Sequence, residues 1–241
     1  MKLDKGFYFG IGAFETIYVD QKQPVLLDKH LKRINHSLAY LKISQTLTEV
    51  EITEFISQQT SVSFVLKIAI SEENKIFSIR DNPYTADMYQ QGFKLKISEV
   101  KRNETSPLTY HKTLNYAENI LENELAKSEG FNEVVFMNTK NQISECSTSN
   151  IFFVRDKKII TPRLENGVLP GTLREYLLEN YDIEEIDISI DDLASMDECF
   201  VTNAVLGIMP VVSLDNLIFK ERTICDFLLK DYLNMTKNNL K

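Results

Sequence analysis

The sequence predicts an α+β chain of two domains, an amino-terminal one over residues 1–105 and a larger, barrel-like one over residues 106–241. Three observations lead there. Helix-type and strand-type periodicities alternate along the chain with no internal repeat and no low-complexity segment. Every periodicity stops at Asn103-Glu104-Thr105-Ser106-Pro107, which places a boundary between Arg102 and His111. Beyond it, strand-then-turn units dominate, the pattern of a mostly antiparallel or barrel-like sheet.

Phe14 to Val19 is rich in aromatic and β-branched residues and reads as a strand, turning at Asp20-Gln21-Lys22-Gln23 into Pro24-Val25-Leu26-Leu27. Asp28 is an expected N-cap for an amphipathic helix striped by Leu31, Ile34, Leu38 and Leu41, with Arg33 beside the stripe. After a polar region, Val62–Ile70 and Lys75–Ile79 flank Ser71-Glu72-Glu73-Asn74 as a hairpin, and Lys94-Leu95-Lys96-Ile97 alternates like an exposed strand. In the second half, Leu114, Ala117, Ile120, Leu121 and Leu125 mark a helix that stops near Gly130, with Lys112 at its amino-terminal edge. Val134–Met137, Ile143 and Ile151–Val154 read as strands, and Arg155-Asp156-Lys157-Lys158 turns into Ile159-Ile160. Pro170-Gly171 opens a helix through Glu179, and Phe200-Val201 runs into the turn Thr202-Asn203-Ala204.

Composition narrows the function. An apolar content of 43% over 241 residues is enough for a real core. A formal charge of −8 argues against nucleic acid or an anionic membrane as the main partner, since both select basic surfaces. Cys146, Cys199 and Cys225 are far apart and lack metal-ligand spacing, as expected of reduced thiols. The amino terminus has no apolar signal stretch, and the longest nearly apolar run, Cys199–Leu214, is shorter than a membrane helix. A cytoplasmic enzyme is the expectation. His30, His36 and His111 show no ligand spacing, so no metal site is expected, and Ser144, Ser147 and Ser149 lie in no nucleophile-elbow sequence.

Four segments carry chemistry: His111-Lys112-Thr113-Leu114-Asn115-Tyr116, the run Glu145 to Phe152, Leu169-Pro170-Gly171-Thr172-Leu173-Arg174, and Thr202-Asn203-Ala204. Together they suggest a pyridoxal phosphate (PLP) site, which needs a lysine amine for a Schiff base, an acid against the pyridine nitrogen and a cradle of N–H groups for the phosphate. Lys112 sits among Tyr110, His111 and Tyr116, where partial burial would expose a nucleophilic amine. Glu145 would favour the protonated ring, and that ring withdraws electrons from a neighbouring carbanion. Thr172 and Leu173 open a helix, where free N–H groups favour phosphate, and the planar guanidinium of Arg33 suits the same anion.

The set resembles the class IV, fold-type IV PLP enzymes: branched-chain aminotransferases, D-amino-acid aminotransferases and 4-amino-4-deoxychorismate lyases. The resemblance covers nearly the whole chain. Phe9 to Thr16 is similar to the family's glycine-aromatic opening, and Asp28 to Ile34 to the helix with its phosphate-binding arginine. It implies Lys112 as Schiff-base lysine and general base, Glu145 as partner of the pyridine nitrogen, Arg33 as phosphate ligand, and Thr172, Leu173, Thr202 and Asn203 completing the phosphate site. It also implies a small α+β amino-terminal domain, a barrel-like carboxy-terminal domain, a homodimer, and a substrate with amino and carboxylate groups.

Within the family the aminotransferase branches usually carry Gly-Ile-Thr-Arg at the phosphate turn, whereas this chain has Gly171-Thr172-Leu173-Arg174. Asn203-Ala204 and Glu145-Cys146 are similar to the lyase pattern, so the resemblance favours conversion of aminodeoxychorismate to 4-aminobenzoate and pyruvate, in folate precursor supply. The alternatives are a class IV aminotransferase using branched-chain or D-amino acids with 2-oxoglutarate, and a non-catalytic relative that binds PLP or a metabolite. Lys101, Arg102, Tyr110 and Arg174 are candidates for the substrate carboxylates by position.

Overall fold

The computed structural model describes residues 1–238, which form two compact units. The first comprises residues 1–83 and 111–116 with the end of the last helix; the second comprises residues 84–110 and 117–234.

The first unit opens with a short helix, α1 (Lys5–Phe9), whose N-cap Asp4 accepts from Phe7 N at 3.1 Å, from Ser71 Oγ at 2.6 Å and from Glu73 N at 2.8 Å. Strand β1 (Gly12–Asp20) follows, then β2 (Gln23–Pro24), across a turn in which Gln21 and Lys22 have φ of 47° and 66°. Helix α2 (Leu27–Tyr40) is capped by Leu26, not by the expected Asp28, which lies in its first turn, where a carboxylate favours the helix dipole. Helix α3 (Glu49–Ser57) occupies what reads as a polar region; Thr48 and Glu51 form a reciprocal capping box at its start. The expected hairpin is β3 (Phe64–Ser71) and β4 (Lys75–Arg80), and the sheet runs β2-β1-β3-β4, all antiparallel. Ile17, Val19, Ile34, Leu38, Ile52 and Leu66 are among the residues that close its core, each contributing about 1.5–3 kcal/mol by burial.

Residues 111–116 run alongside β1. Phe14 N donates to Lys112 O at 2.9 Å, Leu114 N to Gly12 O at 2.8 Å, and Thr113 bridges Ala13. Lys112 therefore lies five residues before the next helix and not at its edge, at the centre of a tight turn in which Thr113 N donates to His111 O at 2.9 Å.

The second unit begins with α4 (Ala86–Gln91) and β5 (Phe93–Arg102). Then come α5 (Ala117–Ser128), β6 (Glu133–Asn138), β7 (Ile143–Cys146), β8 (Asn150–Arg155) and β9 (Lys158–Pro162). It continues with α6 (Thr172–Asn180), β10 (Ile183–Ile186), β11 (Glu198–Asn203), β12 (Gly207–Leu214), β13 (Leu217–Ile218) and α7 (Thr223–Asn238). Its nine-stranded sheet has the order β10-β9-β8-β11-β12-β5-β6-β7, with β13 beside β12. The sheet is mixed: β9 with β10, β5 with β12 and β5 with β6 are parallel, the other pairs antiparallel. Ile143 N on the β7 edge donates to Ile188 O, just past β10, at 2.7 Å, so the sheet curls back on itself as a barrel does.

Strand β5 departs from its reading as an exposed strand. It is hydrogen-bonded on both sides, to β12 and β6, and buries Phe93 and Leu95. This pairing carries residues 84–102 into the second unit, so the chain divides at residue 83 and not at the expected 105. On α5 the buried residues are Asn119, Asn123 and Ala126, while Ile120, Leu121 and Leu125 of the apolar stripe are exposed. Among the described residues no helix is long and apolar enough to cross a membrane.

Candidate active site

In the first unit, the Lys112 Nζ lies 4.4 Å from the centroid of the Phe14 ring and 5.0 Å from that of Tyr116, two rings that meet edge to face. The residue after Phe14 is Glu15, a carboxylate with no exposed surface in the middle of an apolar strand. Glu15 is held by the expected Arg33 in a bidentate pair, Nε to Oε1 and Nη2 to Oε2, both at 2.7 Å. His30 Nδ1 lies 2.6 Å from Glu15 Oε2. Burial pushes the Glu15 carboxyl up, but the charges of Arg33 and His30 outweigh it and hold the group well below the usual carboxylate range. Burial dominates at His30 and lowers its proton affinity, and Arg33 and Lys112 act in the same direction. The fold thus brings Lys112, Phe14, Glu15, His30 and Arg33 into one electrostatic neighbourhood.

In the second unit the remaining expected residues gather around one that sequence reasoning passed over, Asn150. Glu145, at the end of β7, is buried; its Oε2 accepts from Leu169 N at 3.0 Å and from Asn150 Nδ2 at 3.2 Å, and its Oε1 lies 3.5 Å from Arg102 Nη2. Asn150 Nδ2 also donates to Leu169 O at 2.9 Å, joining β8 to the loop that leads into α6. The backbone at Gly171 passes so close that a Cβ there would stand 1.8 Å from Asn150 Oδ1. Strand register pairs Asn150 with Thr202, and Asn203 Nδ2 donates to Ser149 Oγ at 3.1 Å. Asn203 Oδ1 accepts from Val205 N and Leu206 N, which sets the turn after β11. Leu173 packs into the core, and Gly171 caps α6 with no side chain, so the helix start presents backbone N–H groups.

A second buried acid supports this region. Glu133 accepts from Asn123 Nδ2 at 2.6 Å, Thr148 Oγ1 at 2.7 Å and Val134 N at 2.9 Å, and from the Ser147 hydroxyl, tying the β7–β8 turn to α5. The Ser147 hydroxyl is thereby structural, as is that of Ser144, which donates to Gly167 O at 3.0 Å.

Two candidates for the substrate carboxylates are engaged elsewhere. Arg174 is buried, donating to Pro162 O at 3.0 Å and to the Glu185 carboxylate, and Tyr110 donates its hydroxyl to Glu104 O at 2.7 Å. Arg102 is buried against Glu145 and over the Phe136 ring.

The second unit meets the needs of a phosphate and a pyridine ring. Thr202 Oγ1 is one of four buried side-chain polar atoms without a hydrogen-bond partner among the described residues, at a position the resemblance assigns to phosphate. A buried hydroxyl of that kind is a donor for an anion. Glu145 is a buried carboxylate oriented by two N–H donors, as a partner for a ring N–H requires. In the first unit the Lys112 amine stands over the Phe14 and Tyr116 rings. Glu15 and Asn150 carried no signal of their own beyond a polar residue inside a strand of apolar neighbours.

Known proteins are similar to this chain in sequence and in fold. The chain matches the family Amino-transferase class IV over residues 12–214. It is 24% identical to the aminodeoxychorismate lyase of Bacillus subtilis (strain 168) over 237 residues, covering 89% of this chain and 81% of that protein. It is 32% identical over 107 residues to branched-chain-amino-acid aminotransferase 5, chloroplastic, of Arabidopsis thaliana, covering 42% of this chain and 26% of that one. The crystal structure of 4-amino-4-deoxychorismate lyase from Pseudomonas aeruginosa is similar with a TM-score of 0.82 and 26% identity, covering 96% of this chain and 94% of that chain.

Proposed function

Because this chain belongs to the amino-transferase class IV family of PLP-dependent enzymes, we propose that it is a lyase converting 4-amino-4-deoxychorismate to 4-aminobenzoate and pyruvate. The fold is that of the fold-type IV enzymes, and PLP is the cofactor. What carries the lyase reading is similarity over almost the full chain to an aminodeoxychorismate lyase, together with Leu173 at the phosphate turn. Leu173 is 1% exposed and contributes a core side chain where aminotransferase branches place a threonine hydroxyl.

The bound cofactor supplies an electron sink for the pair left at the substrate carbon after proton loss. Lys112 would hold the cofactor, and its free amine would take the proton from the ring carbon that bears the substrate amine. The enolpyruvyl C–O bond then breaks, the departing enol takes up a proton to become pyruvate, and aromatisation of the ring drives the step. Glu145 would face the pyridine nitrogen and favour its protonated form. Arg33, aimed by Glu15, would be the phosphate ligand of the first unit, and Thr202, Asn203 and the α6 N–H groups of Thr172 and Leu173 would be those of the second. The apolar stripe of Ile120, Leu121 and Leu125 supports a homodimer, and the three buried free cysteines suit a cytoplasmic protein.

Incubation with aminodeoxychorismate should yield 4-aminobenzoate and pyruvate, and borohydride should fix a pyridoxyl group on the Lys112 peptide. Lys112→Ala should abolish both. Faster transfer of amino groups from valine, leucine or D-alanine to 2-oxoglutarate would replace the lyase with the aminotransferase reading, which 26% identity over 223 residues, 87% of this chain, to a probable branched-chain-amino-acid aminotransferase of Thermotoga maritima favours. Absence of turnover with the cofactor bound would instead leave a PLP-binding relative.

A further inference from the structure

We propose that Arg102 is the positioning residue for Glu145: from the end of β5 its guanidinium keeps Glu145 a carboxylate able to hold the proton of the cofactor's ring nitrogen. This rests on the PLP reading above and adds a residue to it.

Arg102 is 8% exposed, yet among the described residues its Nε and Nη2 have no hydrogen-bond partner. Nη1 donates to Asn119 Oδ1 at 3.2 Å, and the guanidinium carbon stands 4.4 Å from the Phe136 ring centroid, so the plane of the fork is set. In that pose Nη2 lies 3.5 Å from Glu145 Oε1, an ion pair whose geometry is off that of a hydrogen bond. For stability alone this is a poor use of a buried arginine, because a buried cation with incomplete hydrogen bonding opposes folding. The fold nonetheless makes room for it. Gly167, at φ 85°, would bring a Cβ within 2.9 Å of Arg102 Cγ.

The charges around the pair explain why a cation is needed there. Glu118 on α5 lies 4.0 Å from Arg102 Nη1. Cys146, next to Glu145 on β7, is pushed up by burial and by Glu133 and Glu145, with Arg102 the opposing influence. Glu145 and Glu133 are both buried and both act on Cys146, whereas Glu118 is exposed; a carboxyl taken out of water tends to take up a proton unless a cation stands beside it. A protonated Glu145 could not hold the ring-nitrogen proton. Its other oxygen is occupied by the neutral donors Asn150 and Leu169 N, which orient it without fixing its charge.

The test follows cofactor retention by the holoenzyme against pH, read by the absorbance that remains after gel filtration, for wild type, Arg102→Met, Arg102→Lys and Arg102→Met combined with Glu145→Gln. Loss of a neighbouring cation should raise the midpoint of acid-induced cofactor loss by about one pH unit or more in Arg102→Met, while Arg102→Lys restores it. In the Glu145→Gln background the Arg102→Met change should produce no further shift. An unshifted midpoint in Arg102→Met, or an equal shift without Glu145, overturns the proposal. Should Arg102→Met fail to fold, infrared difference spectra of wild type against Glu145→Gln decide. A protonated-carboxyl band from Glu145 near neutral pH overturns the proposal, and a carboxylate band there upholds it. A wild-type protein that retains no PLP would instead mark failure of the cofactor reading itself.

Discussion

Gly171→Ala puts the local design of the second unit under direct test. The backbone at 171 has φ −71° and ψ 140°, which alanine adopts without strain, so the whole effect is steric. The new Cβ would stand 1.8 Å from Asn150 Oδ1 and 3.0 Å from its Cγ. One group must retreat by about 1.2 Å or more to reach even the tightest contact that close-packed interiors tolerate. The amide of Asn150 is the softer side, and swinging it away breaks Nδ2 to Leu169 O and Nδ2 to Glu145 Oε2. A neutral hydrogen bond is worth about 1 kcal/mol and one to a charged acceptor about 1.5–3 kcal/mol, so the substitution should cost ~2–4 kcal/mol. Urea unfolding followed by far-UV circular dichroism measures it, with PLP retention as a second reading of displaced Glu145 and α6. Asn150→Ala removes the obstructing amide. In that background Gly171→Ala should cost less than about 0.5 kcal/mol, since the two changes share one contact. A single Gly171→Ala variant as stable as wild type, or a double variant in which the two costs simply add, would refute the reasoning.

Other expectations follow from the buried groups. Glu15→Gln leaves Arg33 without its counter-charge and should destabilise the protein by ~3–5 kcal/mol at neutral pH in urea titrations. Both Glu15 and His30 have proton affinities lowered by folding. Each therefore contributes stability above its ordinary pKa, 4.5 and 6.5, and loses it as pH falls through the folded value. Wild type should accordingly lose stability on acidification, and Glu15→Gln should show a flatter profile below about pH 4.5. Glu198 on β11 accepts from Ile224 N and Cys225 N, both at 2.9 Å, at the start of α7, so Glu198→Ala should cost about 1–2 kcal/mol in the same unfolding measurement. Burial pushes all three thiols up, foremost at Cys146 and Cys199. A chromogenic disulfide reagent should react slowly with the native protein and rapidly once urea unfolds it.

Some of this molecule was legible before any coordinates. β1, α2 and the β3–β4 hairpin follow from periodicity and turn chemistry, because each buries one face against a local partner. α1 was not legible, being a single turn too short to show a period. α3 carried a readable signal in Thr48 and Glu51 that the surrounding polar residues obscured. On α5 the stripe of Ile120, Leu121 and Leu125 marks the helix but does not face this chain's core; Asn119 and Asn123 do, because their amides satisfy the Ser147 carbonyl and the Glu133 carboxylate.

The sequence by itself determined the inventory: a lysine, an acid, an arginine and two phosphate-type turns, in an order that resembles one enzyme family. Residue type and local spacing suffice for that, since they follow from covalent chemistry and short-range geometry. Only the tertiary structure decided what surrounds each member. Lys112 lies in a turn bonded to β1 and not on a helix; Arg33 is aimed by a buried Glu15; Glu145 is held by Asn150 and faced by Arg102 across the sheet. Those partners are distant in sequence, 43 residues between Arg102 and Glu145 and 98 between Phe14 and Lys112, and no local pattern encodes them. Strand pairing brings them together, and the low dielectric of the interior makes their charges matter.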